Sequence, residues 1–347
     1  GWSAEGALRC GVTALGAGGT NCHLILEEAP AALAGDCGRS HQLIVLSAKT
    51  KTALDLACER LADALVNDPA IDLADAAYTL AVGRRAMPHR RAIHAASSAD
   101  AAKLLREREP KRLINGIVDD QQPKLVFMFP GGGAQYAGMG RELYEQEDVY
   151  RDAINDCLAI IEPALGRDIR ALMYPKPDAV DAATRELERP SLTLPALFAT
   201  EYALARLFMA WGVTPQAMIG HSVGEYAAAC MSGVMSLQDA IKLVLMRGRL
   251  FEVVRAGSML SVPLSESDLR GLMPAGLDVA AANAATLSVA SGPSEAIAAL
   301  RGILAEREID STPIHINVAA HSSMLDPVLG QFRDLCRTIR FQRPETP

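Results

Sequence analysis

The stretch Gln216–Ala229 constrains this chain more than any other. Ala217-Met-Ile219 is a short apolar run of the kind that forms a buried strand, and the residues from Glu225 onward are alanine-rich and helix-prone. Between them lies Gly220-His-Ser-Val-Gly224, a G-x-S-x-G pattern. A strand that becomes a helix within so few residues must turn sharply. Glycines two positions either side of the serine remove the Cβ atoms that would collide there. The order predicts a nucleophile elbow, with Ser222 at the head of a helix whose free N–H groups favour developing negative charge.

The rest of the chain reads as an α/β protein in several blocks. Cys10 to Pro30 carries a strand pattern, a glycine turn and a second strand; a lone hairpin is marginal, so its pairing partners are expected elsewhere. Gly1-Trp2 reads as an internal start with no signal peptide before it. Residues 31–40 read as a linker. A small α/β unit follows: strand Leu43–Leu46, helix Thr50–Val66, helix Leu73–Leu80, strand Arg91–Ala96 and helix Ser98–Arg106. Its basic cluster Arg84, Arg85, Arg90 and Arg91 reads either as a docking face for a carrier or as a solvated surface, the commoner use of such runs. His89 and His94 lack acidic or cysteine companions and read as strand or surface residues, not metal ligands.

From Lys124 the pattern changes. Leu125–Phe129 is continuously apolar, as expected of a strand buried on both faces of a parallel sheet. The glycine-rich turn Pro130–Tyr136 has no G-K-[ST], which argues against nucleotide binding. Strand and helix are expected to alternate onward to the elbow, the layout of a doubly wound sheet. Residues 257–317 follow a β-α-β-β-α-β order, which predicts a ferredoxin-like insert and a cleft where it meets the larger domain. The formal net charge is −7 with no long basic run, which argues against nucleic acid as a partner. No apolar run approaches the roughly 18 residues of a membrane span. Seven scattered cysteines without C-x-x-C spacing point to a reduced, cytoplasmic compartment, with neither a disulfide framework nor a metal site.

Serine is a weak nucleophile and needs a base within hydrogen-bond reach. His321 follows the last strand of the insert and would face the cleft, although spacing alone leaves it between a general base and a satisfied loop histidine. His315 reads as packed on a strand, and His221 as turned away by the elbow. On the helix that begins at Ser236, Arg247 lies at the edge of the apolar stripe Leu237, Ala240, Ile241, Val244, Leu245, Gly248. A half-buried guanidinium needs an anionic partner, either a carboxylate such as Glu225 or a substrate carboxylate held by both nitrogens.

Four separated motifs occur in one order: Phe129-Pro-Gly-Gly-Gly-Ala-Gln135, Gly220-His-Ser-Val-Gly-Glu225, Met246-Arg-Gly-Arg249 and Val318-Ala-Ala-His-Ser322. Residues 124–347 thereby resemble a malonyl-CoA:acyl-carrier-protein transacylase, specifically the acyltransferase domain of a type I modular polyketide synthase. Residues 1–30 resemble the C-terminal tail of a ketosynthase, and residues 31–123 the ketosynthase-to-acyltransferase linker subdomain. The resemblance implies an α/β-hydrolase-like parallel-sheet domain with the ferredoxin-like insert, beside a small N-terminal α/β linker subdomain. It implies a Ser222–His321 dyad that passes an acyl group from acyl-CoA to the phosphopantetheine thiol of an acyl carrier protein by a ping-pong route. Backbone N–H groups of Gly132 and Val223 would form the oxyanion hole, and Arg247 would clamp the free carboxylate of a dicarboxylic acyl group. Gln135, His221, Val318 and Ala320 would line the substrate site. No cofactor is implied beyond the phosphopantetheine of the partner; the ketosynthase of the same polypeptide is a second partner, and the isolated chain is expected to be a monomer.

Three departures from that pattern matter. Gly132 stands where the family loop has glutamine, so a side-chain contact is lost while the backbone N–H remains. Val318-Ala-Ala-His321 matches neither the H-A-F-H of malonyl-specific nor the Y-A-S-H of methylmalonyl-specific domains. Ala320 leaves room for a methyl branch, whereas Ser222–Glu225 and Pro195–Phe198 look like the malonyl type; malonyl-CoA is the reading, methylmalonyl-CoA the alternative. The family's domain also continues past Pro347, so its C-terminal end is expected to be missing, with the backbone carbonyl that orients the base histidine. The rival readings are an α/β-hydrolase-type thioesterase, which needs an acidic third member such as Asp268, Asp278 or Asp310, and a catalytically idle carrier-docking module.

Overall fold

The computed structural model describes residues 6–30, 38–118, 123–314 and 316–347. The expectation for His315 and most of that for the linker at 31–40 lie outside the described residues. The chain divides into two compact units, 1–122 and 123–347.

The first unit begins with an antiparallel hairpin, β1 (Arg9–Leu15) and β2 (Asn21–Glu27), in register from Arg9 opposite Glu27 to Leu15 opposite Asn21. Both faces of this ribbon are open, and Leu15 and Ile25 are 78% and 74% exposed. Next come β3 (Gln42–Ala48), α1 (Lys51–Asn67), α2 (Leu73–Val82), β4 (His89–Ala95), α3 (Ser98–Glu107) and β5 (Leu113–Ile117). Side-chain oxygens of Thr50, Asp72 and Ser97 cap the three helices by accepting free backbone N–H groups. The strands form an antiparallel sheet in the order β3-β4-β5, covered by Leu54, Cys58, Ala62, Leu104 and Leu105 of α1 and α3. β5 was not expected; Gly116 interrupts its short apolar run.

The basic cluster is not uniformly solvated, because one of its members is buried. Arg91 is only 5% exposed and bonds Asp55 at 2.9 Å, Asn115 at 2.7 Å and the Cys58 thiol at 3.2 Å. As a β4 residue it points into the core, where a guanidinium must find partners for its N–H groups. Arg84, Arg85 and Arg90 line a groove over Leu46, Leu80 and Met87, to whose wall Arg91 also contributes.

The second unit opens with β6 (Val126–Phe129) and continues through α4 (Arg141–Gln146), α5 (Asp148–Leu165), α6 (Arg170–Met173), α7 (Val180–Glu186) and α8 (Pro190–Ala210). β7 (Ala217–Gly220), α9 (Gly224–Met231) and α10 (Leu237–Val253) follow. β6 and β7 pair in parallel, Val126 opposite Ala217 through Phe129 opposite Gly220. Between them the described chain holds helices only, so strand and helix do not alternate as expected. Nor is β6 buried on both faces: Phe127 and Phe129 face the core, while Val126 and Met128 are 51% and 77% exposed. The two-stranded sheet has helices against one side, and its far edge meets the chain end, where Met218 N–H donates to the Pro347 carbonyl at 2.8 Å.

The core of this unit is the packing of α8 against α5 and α10. α8 is buried nearly all round, as an apolar helix without a polar stripe must be. Gly248 allows the close approach of α10: a Cβ there would lie 2.8 Å from the Pro190 carbonyl and the Ser191 Cα. That contact fixes the neighbouring Arg247 at the base of the cleft.

The insert comprises β8 (Ser258–Val262), α11 (Glu266–Leu272), β9 (Asp278–Ala284), β10 (Leu287–Gly292), α12 (Ser294–Glu306) and β11 (Thr312–Ile314). Its antiparallel sheet runs β11-β8-β10-β9, the ferredoxin-like arrangement expected, over a small core of Leu260, Leu269, Leu300 and Leu304. α13 (Asp326–Arg337) closes the described fold. Among the described residues no helix is long and apolar enough to cross a membrane.

One buried group sets a pH dependence of stability. Glu201 on α8 is 6% exposed, neither carboxyl oxygen has a partner among the described residues, and burial pushes it up to about 8. The folded chain keeps a proton that the unfolded chain releases above its ordinary value of 4.5. Stability from this group is therefore full below pH 4.5 and falls as pH rises towards 8. Glu201→Gln should be more stable than the parent at pH 8 by roughly 2–5 kcal/mol and nearly equal at pH 4.5. Denaturant unfolding at the two pH values checks this; a difference that does not grow with pH would rule it out.

Candidate active site

Ser222 sits in the turn between β7 and α9 with φ +55°, a left-handed conformation that serine adopts only under constraint. The constraint is the approach of three backbones. A Cβ at Gly220 would lie 2.2 Å from the Glu225 nitrogen, and one at Gly224 would lie 2.3 Å from the Phe129 carbonyl. His221 N–H donates to that same carbonyl at 2.9 Å, tying the elbow to the end of β6. The turn is the predicted nucleophile elbow, and both glycines are sterically required.

The loop leaving β6 passes beside the serine. A Cβ at Gly131 would be 2.7 Å from His221 Nδ1 and 3.4 Å from Ser222 Cβ. Gly132 lines the cleft, and its N–H, like that of Val223, donates to no protein acceptor among the described residues. Gln135 does not line the cleft; its side-chain oxygen accepts from Gly133 N–H at 2.7 Å, folding back on its own loop. Val318 is buried behind the wall, while Ala320 forms part of it.

Ser222 Oγ lies 2.7 Å from His321 Nε2, although 99 residues separate them. His321 also has left-handed φ, +57°, and the insert holds its loop in place. Buried Ser291 of β10 donates to the Ala320 carbonyl at 2.7 Å, and Asp278 of β9 accepts from both the N–H and the hydroxyl of Ser323 at 2.7 and 2.8 Å. Asp278 is thus engaged by Ser323, and no carboxylate bonds His321 among the described residues. Sequence reasoning did not single out Ser291; one serine on a strand carries no signal.

Arg247 Nη2 reaches Ser222 Oγ at 2.8 Å and stands 3.5 Å from His321 Nε2. Of the two partners considered for it, the Glu225 carboxylate is not used, and Arg247 forms no ion pair among the described residues. Its guanidinium carbon instead lies 5.6 Å from the Tyr226 ring and 5.2 Å from the Phe251 ring, within cation–π range. Sequence reasoning did not name Phe251, although it continues the α10 stripe one helical turn after Arg247. His221 is not turned away from the site: it lines the cleft and its Nε2 is 3.2 Å from Asn283 Oδ1 of the insert. The cleft encloses about 370 Å³, with Leu194, Met259 and Val289 among its apolar walls.

His321 presents surface at the cleft mouth, yet its imidazole is held below the usual histidine value. Loss of water around the ring is the first cause, followed by the Arg247 guanidinium and then His221. A neutral imidazole bonded to a serine hydroxyl can accept its proton, and two free N–H groups beside that serine can receive an oxyanion. No group of three or more His, Cys, Asp or Glu side chains among the described residues is placed to hold a metal ion.

A serine elbow on a parallel sheet, a histidine delivered by a ferredoxin-like insert, and an arginine between them define an acyl-transfer domain. The family model described as "Acyl transferase domain" matches residues 126–347, and one described as "CurL-like, PKS C-terminal" matches residues 42–105. The chain belongs to the acyl transferase domain family of polyketide synthases. It is 34% identical, over 97% of its length, to the mycoketide-CoA synthase of Mycobacterium tuberculosis, of which it spans 8%. It is 33% identical, over its whole length, to the non-reducing polyketide synthase tpeB of Talaromyces stipitatus, of which it spans 16%. Among solved structures it resembles the acyl transferase domain of ZmaA at 37% identity and TM-score 0.78, covering 89% of this chain and 72% of that one. The corresponding domain of SpnD, in complex with 2-(pent-4-yn-1-yl)malonyl, matches at 36% identity and TM-score 0.78, covering 89% and 73%.

Two outcomes follow from this geometry. Acylation of Ser222 should rise with pH through an inflection below 6.5, the ordinary histidine value, and Arg247→Ala should move it upward. A pH–rate profile for labelling by acetyl-CoA reads both, and an unmoved inflection would remove Arg247 as a cause. Ser291→Ala leaves the Ala320 carbonyl buried and unpaired, at a cost of about 1–3 kcal/mol. It should also slow acylation, because the His321 loop loses a tether; a variant that is less stable yet equally fast would confine Ser291 to a structural role.

Proposed function

We propose that this chain transfers an extender acyl group from coenzyme A to the phosphopantetheine thiol of an acyl carrier protein. Ser222 Oγ attacks the thioester carbonyl while its proton passes to His321 Nε2. The carbon–sulfur bond breaks, and the departing coenzyme A thiolate takes the proton from His321. The carrier's thiol then gives a proton to His321 and attacks the acyl-Ser222 ester; the ester carbon–oxygen bond breaks, and the departing Ser222 Oγ takes the proton back from His321. N–H groups of Gly132 and Val223 hold the oxyanion in both halves. Arg247 clamps the free carboxylate of the acyl group through charge-assisted bonds.

The reading rests on one contact: Ser222 and His321 are 2.7 Å apart beside a guanidinium that has no carboxylate partner among the described residues. An esterase or thioesterase for neutral acyl groups has no use for that cation. Malonyl-CoA is the favoured donor. Methylmalonyl-CoA is the alternative, because small Ala320, Ala280 and Ala281 line the wall, and because SpnD, a similar domain, is complexed with a substituted malonyl group. One methyl group is worth only about 1–3 kcal/mol in a pocket. Residues 1–30 are read as the tail of a ketosynthase, whose surface would cover exposed Leu15 and Ile25. Residues 31–123 are read as the linker subdomain and residues 124–347 as the acyltransferase domain. The site is read as cytoplasmic, and the isolated chain as a monomer.

Intact-protein mass after brief exposure to an equal mixture of malonyl-CoA and methylmalonyl-CoA tests this reading. The expected result is a lasting mass increase, mostly of one malonyl group, that vanishes in Ser222→Ala. Coenzyme A release without a persistent adduct would identify a hydrolase instead.

A further inference from the structure

The resting site holds its nucleophile in a way that a transferase awaiting substrate does not require. A serine hydroxyl has one proton to donate and two lone pairs. Here the proton is directed to His321 Nε2 at 2.7 Å, and a lone pair of Oγ accepts from Arg247 Nη2 at 2.8 Å. The guanidinium draws density from the atom that must attack. It also stands 3.5 Å from the nitrogen that must become cationic as the proton moves. The second effect opposes proton transfer to His321, and the first makes Oγ a weaker nucleophile, for as long as Arg247 carries an unneutralised charge there. The faces of Tyr226 and Phe251 flank the guanidinium, so its plane is held while its edge can exchange partners.

We propose that Arg247 is a gate on Ser222, and that the carboxylate of the incoming acyl group opens it. The inference rests on the reading of Arg247 as the carboxylate clamp. A carboxylate is a stronger acceptor for a guanidinium N–H than a neutral hydroxyl, so it draws Nη2 away from Oγ. The same pairing neutralises the charge that opposed an imidazolium at His321. Ser222 is then freed at the moment when a dicarboxylic thioester is in place. A neutral acyl group fills the site without opening it, so discrimination acts on the rate of attack as well as on binding. The gate adds no new step to the transfer and needs no co-reactant.

Formate tests this, because formate and an acetyl group together supply the carboxylate and acyl parts of malonyl. Ser222 of the unmodified chain is acylated with acetyl-CoA and followed by intact mass, with and without sodium formate, and with sodium chloride at equal ionic strength as control. Formate should accelerate acetylation about tenfold, a factor equivalent to 1.4 kcal/mol. Arg247→Ala should acetylate at the faster rate without formate and gain nothing from it. If formate leaves the unmodified chain unchanged or slows it, the gate is overturned. The clamp is read separately: Arg247→Ala should lose labelling by malonyl-CoA. Loss of malonyl labelling with no formate effect would leave the clamp standing without the gate, and retained malonyl labelling would remove both. Should the alanine variant fail to fold, the formate titration of the unmodified chain decides alone.

Discussion

Three backbones cross within van der Waals contact at residue 222, and the second unit is arranged around that crossing. The end of β6 supplies the Phe129 carbonyl that receives His221, the start of α9 presses on Gly220, and Gly224 slides beneath Phe129 and Pro130. Packing this close forces Ser222 into a left-handed conformation and projects its hydroxyl from the turn. The strain is held because β6 and β7 are hydrogen-bonded in register and α9 packs on them. The same crossing delivers the glycine loop after β6 to the serine's side, so that one local constraint places the Ser222 hydroxyl and free N–H groups together.

The proposed base arrives by a different route. His321 belongs to no helix or strand; it lies on the segment that returns from the insert, itself in a left-handed conformation. The insert anchors that segment on both sides of the histidine, through Ser291 to the Ala320 carbonyl and through Asp278 to Ser323. A rigid small sheet thus does for His321 what the elbow does for Ser222. Ser222 and His321 are thus each fixed by a different layer, and the cleft they line lies between the layers.

What could be read from the sequence follows from which interactions are local. The elbow, the capped helices beginning after Thr50, Ser97 and Ser236, and the ferredoxin-like order of the insert are set by residues near one another in the chain. Burial is not local. Leu125–Phe129 has the composition of a doubly covered strand, but only one face of β6 is packed, because cover depends on which elements fold against it. Arg91 looks like its neighbours in a basic run, yet a two-residue period sends it inward to Asp55 while Arg90 faces out. The anchoring roles of Ser291 and Asp278, and the contact of His221 with Asn283, join residues far apart in sequence. No spacing rule reaches across such distances.

Arg247 shows why a charge without a counter-ion can be the informative group. Its place on α10 follows from a helical stripe, and its depth from Gly248, which lets the helix press against Pro190 and Ser191. A half-buried guanidinium beside Ser222 would be a liability in a purely structural role, since a nearby carboxylate could pair with it; Glu225 lines the same cleft and does not. Two aromatic faces soften the isolation of the charge without cancelling it. The site therefore carries a positive charge with no counter-ion among the described residues. Under the proposed transfer, selectivity for a dicarboxylic extender and restraint of the free serine would be two consequences of the same uncompensated charge.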